Sequence, residues 1–235
     1  MALPPQGELS RVRRRSPVPL LALALLALVA GPAGAAGLRI MPLGDSITDG
    51  ANVPGGYRIE LWRRLVTQDR LAIDFVGSLR NGPASLGDRE HEGHSGWRID
   101  DLAAEVDGWL ARHRPETILL MIGTNDMAQD QAVATAPARL GALLDRITAR
   151  LPTATVLVAS LPPLGTPESD ARVRAYNRAV PRVVQRRAAA GKKVVFVDVA
   201  RGLTPADLAD GVHPNQRGYA KIAEAWSRAL RPLLR

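Results

Sequence analysis

The order of apolar and amphipathic segments predicts alternating strands and helices over most of the chain. Five short apolar runs have the composition of buried strands: Leu38–Leu43, Ala72–Val76, Thr117–Ile122, Thr155–Ser160 and Val194–Val197. Helices are expected in the longer amphipathic stretches near residues 57–68, 99–112, 131–150, 169–190 and 215–232. Because strands that alternate with helices pair in parallel, the pattern predicts an α/β fold with a five-stranded parallel sheet.

The first 36 residues do not follow this pattern. A cluster of arginines at 11 and 13–15 precedes an apolar run, Leu20–Ala30, and small residues at 31–36 follow it. This is the layout of a secretory signal peptide with cleavage after Ala35 or Ala36. The apolar run is shorter than the roughly 20 residues that span a bilayer. We therefore expect an exported protein with a leader at 1–36, a single domain at 37–235 and no membrane anchor after cleavage.

Composition and charge narrow the classes of function. The chain of 235 residues has a formal net charge of +8, and the leader contributes +3 of it through four arginines and Glu8. The remaining arginines are scattered over the predicted helices, which favours solvated helix faces and not a nucleic-acid-binding surface. Cysteine is absent, so a thiol nucleophile and a cysteine-bound metal are excluded.

Two predicted strands end in polar segments at the edge where open parallel sheets bind ligands. The first strand runs into GDSITDG at residues 44–50, where the hydroxyl of Ser46 can be exposed to a substrate carbonyl. The third strand runs into GTND at 123–126, where the Asn125 amide can donate to a developing oxyanion. Either segment alone is equally compatible with a turn whose polar side chains bond to their own backbone.

Two further segments supply the other groups that ester hydrolysis needs. Asp210 and His213 precede the last predicted helix, and their spacing can place a carboxylate beside one imidazole nitrogen while the other nitrogen faces a serine. The long, irregular connection after the second strand contains HEGHSGWR at 91–98, where Gly96 allows the backbone to approach a ligand closely. Its histidines lack the usual spacing of zinc ligands, so we expect no metal site and assign them to ordering of the loop.

Together the four segments resemble the SGNH or GDSL hydrolase family, which is named for a serine, a glycine, an asparagine and a histidine in four blocks. The resemblance covers residues 38 to about 232, with Ile47 in place of the leucine of the family name. It implies a flavodoxin-like three-layer α/β/α fold and catalysis without a cofactor. The residues that it implies are the nucleophile Ser46, the base His213, its acid partner Asp210, and an oxyanion hole formed by Ser46, Gly96 and Asn125.

Within the family, three segments look like the acetylxylan-esterase-like branch of carbohydrate esterases: GGYR at 55–58, FVGS at 75–78 and HEGHSGW at 91–97. This likeness implies hydrolysis of acetyl esters on a polysaccharide such as acetylated xylan, through an acyl-enzyme. We expect a monomer whose partner is a small-molecule or polysaccharide ester. Trp97 follows the oxyanion glycine and either stacks on a sugar ring or walls the pocket.

Two other functions fit the same scaffold. A lipase, lysophospholipase or thioesterase is the first alternative, since the catalytic residues do not specify the acyl group or what it is attached to. A non-catalytic carbohydrate-binding protein is the second, and it would require a broken catalytic set. A different nucleophile, Ser95, is rejected because Trp97 occupies the second glycine position of a Gly-x-Ser-x-Gly elbow.

Overall fold

A computed structural model describes residues 1–2 and 37–234, so the predicted leader lies, except for its first two residues, outside the described residues. Residues 37–234 form an α/β domain. No helix in these ranges is both long enough and apolar enough to span a bilayer. The strands are β1 Leu38–Gly44, β2 Ile73–Phe75, β3 Leu79–Arg80, β4 Glu90–Gly93, β5 Thr117–Met121, β6 Thr155–Ala159 and β7 Val194–Val197. The α-helices are α1 Ser46–Asp49, α2 Gly56–Trp62, α3 Ile99–His113, α4 Thr124–Ala128, α5 Ala136–Arg150, α6 Pro167–Ala189 and α7 Gln216–Leu230.

The sheet is built around β1, which has neighbours on both sides. On one side β5, β6 and β7 follow in order, and all of these pairs are parallel. The other side of β1 is shared, because β2 pairs with Leu38–Ile40 and β4 pairs with Leu43 and Gly44. β3 extends the sheet as an antiparallel neighbour of β4. The order β2-β1-β5-β6-β7 is that of a flavodoxin-like sheet.

The five predicted strands are confirmed as β1, β2, β5, β6 and β7. The five predicted helices also form, the first of them as α2 followed by a π-helix at Arg63–Gln68. Two strands, β3 and β4, were not predicted and lie in the connection that looked irregular. The β4 sequence, EHEG, contains no apolar residue, yet His91, Glu92 and Gly93 are buried. Hydrophobic alternation detects strands through their apolar faces, so β4 gives no such signal.

The helices cover the sheet in two layers. α2 packs on α7, while α5 packs on both α3 and α6. β5 is buried along its whole length, and its apolar side chains share one continuous core with the inner faces of the helices. Burying one such side chain stabilises the fold by about 1.5–3 kcal/mol. This core fixes the sheet edge from which the polar segments emerge.

Gly44 is the position at which three strands end together. It pairs with Gly93 of β4 on one side and with Met121 of β5 on the other. A Cβ atom at Gly44 would lie 2.3 Å from the Met121 carbonyl oxygen and 2.6 Å from Thr48 Oγ1. Only glycine allows strands and loop to approach so closely. The segments that follow the three strands therefore start at one level of the sheet edge.

Gly44→Ala should destabilise the domain, because the added methyl group collides with a backbone oxygen that cannot move without distorting β5. We expect the free energy of unfolding to fall by about 2 kcal/mol or more, in the upper range of overpacking effects. Gly108→Ala is the matched control, since a Cβ at this exposed position of α3 meets nothing within 4 Å. It should stabilise the helix by about 1 kcal/mol. Urea unfolding measures both, and equal changes would contradict the close approach at Gly44.

Candidate active site

Ser46 is the first residue of α1, two positions beyond the end of β1. Asp45 caps this short helix, and its carboxylate accepts a hydrogen bond from the Ile47 amide at 3.0 Å. A side-chain cap of this kind fixes the turn from strand to helix. The direction of the Ser46 side chain, which is only 5% exposed, is thereby set by the local sequence.

The buried guanidinium of Arg58 holds the other end of α1. It donates to the carbonyl oxygens of Thr48 at 3.4 Å and Asp49 at 3.3 Å. It also donates to the Arg89 carbonyl at 2.9 Å and to the Asn81 side chain. Burial lowers the pKa of Arg58 to about 10, so the group remains protonated at neutral pH. The cation connects the turn that carries Ser46 to α2 and to the segment before β4.

The loop before α7 folds around the buried carboxylate of Asp207. This carboxylate accepts hydrogen bonds from Thr204 N at 2.8 Å, Arg217 Nε at 2.7 Å and Lys221 Nζ at 2.9 Å. Burial raises the pKa of Asp207, but these donors outweigh burial and hold the pKa well below its ordinary value. The Asp207 carbonyl oxygen accepts from the amide of Asn215, which caps α7. The loop is thus closed at its base.

His213 extends from this loop and connects Ser46 with Asp210. The distance from Ser46 Oγ to His213 Nε2 is 2.9 Å, and the distance from His213 Nδ1 to Asp210 Oδ2 is 2.8 Å. The other carboxylate oxygen of Asp210 accepts from the amides of Val212 at 3.0 Å and His213 at 2.8 Å. Asn52 Nδ2 donates to Asp210 Oδ2 at 2.8 Å. Both oxygens of the carboxylate are therefore fixed in position.

The surroundings of Asp210 keep its carboxyl group ionised. Burial raises its pKa, but the hydrogen bonds from the His213 amide and ring, from Asn52 and from Val212 outweigh burial, and the pKa lies well below its ordinary value. An ionised acceptor at Nδ1 keeps the imidazole proton on that nitrogen, which leaves Nε2 to accept the Ser46 hydroxyl proton. The arrangement can remove this proton as Ser46 Oγ attacks an electrophile.

Three candidate donors for an oxyanion follow the three strands that end together. The Ser46 amide follows β1, and the Gly96 amide follows β4 in a turn with φ +84°. Neither amide donates to another atom within residues 37–234. Asn125 follows β5 and uses one side-chain hydrogen for the Trp97 carbonyl oxygen, at 2.8 Å. A primary amide has a second hydrogen, so Asn125 can also donate to a ligand.

The Trp97 side chain has one face covered. Its indole stacks on the His94 imidazole with ring centroids 4.2 Å apart and an angle of 21° between the planes. Only the opposite face and the ring edge can therefore contact a substrate. The expected role of Trp97 at a sugar ring is compatible with this placement, through that face alone.

The other histidines of segment 91–98 have partners of their own. His91 is buried, burial lowers its pKa to about 3, and its Nδ1 accepts from the Gly93 amide at 3.0 Å. The His94 Nε2 atom lies 2.9 Å from Glu92 Oε2. In the described ranges, 1–2 and 37–234, no three histidine or acidic side chains are grouped in a way that would hold a metal ion.

A cavity of about 390 Å³ opens beside the Asp210 loop. Its wall includes Ala128 after Asn125, the loop after β6 at Leu164, the Arg172 side chain of α6, and Val212. The wall is partly polar, which suits the alcohol part of an ester that carries hydroxyl groups. A larger cavity of about 510 Å³ lies against the edge strand β7, and none of the candidate catalytic groups line it.

Sequence reasoning did not identify three residues that hold the site together: Asn52, Arg58 and Asp207. Asn52 has a left-handed backbone, φ 66°, and contacts Asp210 across the domain, so no local pattern marks it. Arg58 belongs to the GGYR segment of the resemblance, but nothing in that segment indicates that its side chain holds α1. For Asp207 a signal was present, because the sequence TPAD at 204–207 is a capping box, which the structure forms.

Comparisons with known proteins agree on one family. The sequence model of the GDSL-like Lipase/Acylhydrolase family matches residues 43–221. A multidomain esterase of Ruminococcus flavefaciens is 31% identical over 225 residues, which cover 84% of this chain. The chain spans only 29% of that relative's length.

Two solved structures have the same fold at higher coverage. The family 3 carbohydrate esterase of Clostridium thermocellum superposes with a TM-score of 0.76 at 39% identity, over 85% of this chain and 100% of that one. A serine-to-alanine mutant of an acetyl esterase, solved with an acetate ion, superposes with a TM-score of 0.74 at 32% identity, over 84% of this chain and 98% of that one.

The carboxyl group of Asp45 is fully buried beside Ser46. Burial raises its pKa from 3.8 to about 6, although the hydrogen bond from Ile47 opposes the shift. Its Oδ2 atom and the nearby Thr124 Oγ1 are both buried without a hydrogen-bond partner within residues 37–234. The negative charge is therefore poorly compensated in the folded state.

We expect Asp45 to make the stability of the domain depend on pH. Because its pKa is higher in the folded than in the unfolded state, stability falls as pH rises from about 4 to about 6. Asp45→Asn removes this dependence. The difference in free energy of unfolding between the variant and wild type should therefore shift in favour of the variant by up to about 3 kcal/mol from pH 4 to pH 7. Urea unfolding at both pH values measures the gain. Glu105→Gln, at an exposed position of α3, is the control and should show none. A constant difference between Asp45→Asn and wild type would contradict the account.

Proposed function

The chain belongs to the GDSL-like lipase/acylhydrolase family, and we propose that it removes acetyl groups from a polysaccharide with Ser46 as nucleophile. Its folded domain is an esterase of the carbohydrate esterase type. Acetylated xylan is the substrate that we propose. The observation that carries the proposal is the continuous hydrogen-bonded path from Ser46 through His213 to Asp210, with contacts of 2.9 and 2.8 Å. Hydroxyl, imidazole and carboxylate in this order form a serine hydrolase triad.

In the proposed reaction, Ser46 Oγ attacks the ester carbonyl carbon while its proton passes to His213 Nε2. The carbonyl oxygen becomes an oxyanion that accepts hydrogen bonds from the Ser46 amide, the Gly96 amide and the Asn125 side chain. His213 then gives the proton to the sugar oxygen as the bond between carbon and that oxygen breaks. An acetyl group remains on Ser46. Water, deprotonated by His213, attacks this acetyl group and releases acetate together with free Ser46.

The substrate assignment rests on the kind of relatives and on the shape of the surface. The two solved relatives are a carbohydrate esterase and an acetyl esterase. The cavity beside Asp210 has polar groups, including the Arg172 side chain, that can hydrogen-bond to sugar hydroxyls. The outer face of Trp97 offers an apolar surface of the kind on which sugar rings stack. Export follows from the arginine cluster and apolar run at 11–30, which we propose to be removed as a leader.

Ser46→Ala should abolish hydrolysis of a small acetate ester, because it removes the hydroxyl that lies 2.9 Å from His213 Nε2. Ser227→Ala is the matched control: this serine is buried in α7 and its hydroxyl has no partner among the described residues. The control should retain wild-type kcat. Steady-state kinetics of chromogenic acetate hydrolysis measure both variants. Wild-type-like turnover by Ser46→Ala would refute the nucleophile assignment.

Asn125→Ala should lower kcat by about 10²–10³-fold with little change in KM, because the lost hydrogen bond forms fully only to the oxyanion. The same kinetic assay measures the effect. A rise in KM at unchanged kcat would show that Asn125 binds substrate and is not an oxyanion donor.

Acetate release from acetylated xylan, from other acetylated sugars and from a phospholipid compares the proposed substrate with the lipase alternative. We expect the highest kcat/KM on an acetylated polysaccharide. Chromogenic esters of increasing acyl chain length provide the second measurement, with a decline from acetate onwards expected. Preference for long acyl chains would contradict the proposed substrate while leaving the triad intact.

A further inference from the structure

The proposed oxyanion donor Gly96 lies in a four-residue turn, His94 to Trp97. The Trp97 amide donates to the His94 carbonyl oxygen at 3.1 Å, which closes the turn. Gly96 is its third residue, and its φ of +84° is the value that a type II turn requires there. A Cβ at Gly96 would meet nothing within 4 Å, so the backbone angle and not lack of space requires glycine. The direction of the Gly96 amide thus depends on the turn keeping its conformation.

The first and last residues of this turn are stacked on each other. The imidazole of His94 lies 4.2 Å from the indole of Trp97, at 21° between the planes. It also lies 4.7 Å from the indole of Trp109, at 14° between the planes. Trp109 belongs to α3 and is held by the domain core. The two indoles also lie close to each other, with centroids 5.8 Å apart and 32° between the planes. The three rings therefore form one cluster, in which the His94 imidazole contacts one indole of the turn and one indole of α3.

A buried acid fixes the rotation of the His94 ring within this stack. Glu92 is fully buried, and its Oε2 lies 2.9 Å from His94 Nε2. The same carboxylate accepts hydrogen bonds from the Ser78 hydroxyl at 3.1 Å and from the Ser78 amide. Because its other donors come from the backbone and side chain of Ser78, Glu92 is itself held in place.

Other groups of the turn form hydrogen bonds with residues of β1, α1 and α4. The His94 amide donates to the Gly44 carbonyl oxygen at 2.9 Å, and Ser95 Oγ donates to Asp49 Oδ2 at 2.9 Å. The Trp97 carbonyl oxygen accepts from Asn125. The Gly96 amide has no acceptor within the described part of the chain. The contact of His94 with Trp109 connects the turn to α3 as well.

We propose that His94 is a positioning residue: its imidazole, packed against both Trp97 and Trp109 and bonded to Glu92, keeps the turn in the conformation that directs the Gly96 amide at the oxyanion. The inference rests on the proposed function of Ser46 as nucleophile. Without the ring, the peptide group between Ser95 and Gly96 can rotate and turn its N–H away from the oxyanion. Loss of this hydrogen bond destabilises the transition state more than the bound substrate, because the ground-state carbonyl bonds only weakly to the Gly96 amide.

Trp109→Leu removes one ring of the cluster and leaves the sequence of the turn unchanged. We expect kcat for a chromogenic acetate ester to fall by about tenfold or more while KM changes less than about twofold. Trp109→Phe keeps an aromatic face and should restore most of kcat. Trp62→Leu is the matched control, because this partly buried tryptophan packs on Phe75, 5.9 Å away between centroids and outside the site. Trp62→Leu should lower the melting temperature by about as much as Trp109→Leu does and should leave kcat unchanged.

A second variant covers the case in which Trp109→Leu does not fold. His94→Gln retains a donor for Glu92 but has no ring, so kcat should fall as in Trp109→Leu. Combining Trp109→Leu with Gly96→Ala should cost no more than the worse single change, because both act on one amide. Wild-type kcat in His94→Gln, or a loss in Trp109→Leu that tracks melting temperature as in Trp62→Leu, would overturn the positioning role. Activity that survives Ser46→Ala would instead refute the proposed function itself.

Discussion

The site depends on the register of three strands at Gly44. This residue pairs with Gly93 on one side and Met121 on the other, so β1, β4 and β5 end at one level. A Cβ at Gly44 would lie 2.3 Å from the Met121 carbonyl oxygen, and a Cβ at Gly93 would lie 2.3 Å from the Asp49 amide nitrogen of α1, so neither position can hold a side chain. The residues that follow these strands include the proposed nucleophile and the proposed oxyanion donors on either side of it. A shift of register by one residue would separate them.

Around this edge, buried charges hold polar loops where apolar packing cannot. Asp207 closes the loop that carries His213, and Arg58 binds the end of α1. Glu92 is hydrogen-bonded to His94, the first residue of the turn that contains Gly96. Each is a charge surrounded by several hydrogen-bond partners, which is the condition under which a buried charge is tolerated. The arrangement keeps surface loops rigid, and rigid donors are what oxyanion stabilisation requires.

The parts of the fold that sequence predicted are those built from apolar runs, such as β1 and β5. Ser46, Asn125 and His213 could be proposed as site residues because each lies next to such a predicted element. β4 was not predicted because its buried residues are polar. The stacking of His94 on Trp109 was not predicted because Trp109 resembles any tryptophan of an amphipathic helix. The contact of Asn52 with Asp210 joins residues 158 positions apart and leaves no local pattern. Long-range polar contacts are decided by the fold and cannot be read from spacing.

The most direct test of the account is to trap the covalent intermediate. The protein is mixed with an excess of an activated acetate ester, quenched in acid during turnover, digested and analysed by mass spectrometry. The account predicts that one acetyl group is found on the peptide that contains Ser46, at the serine itself, and that it disappears when the ester is exhausted. An acetyl group that turns over on another residue, with Ser46 unmodified, would contradict it.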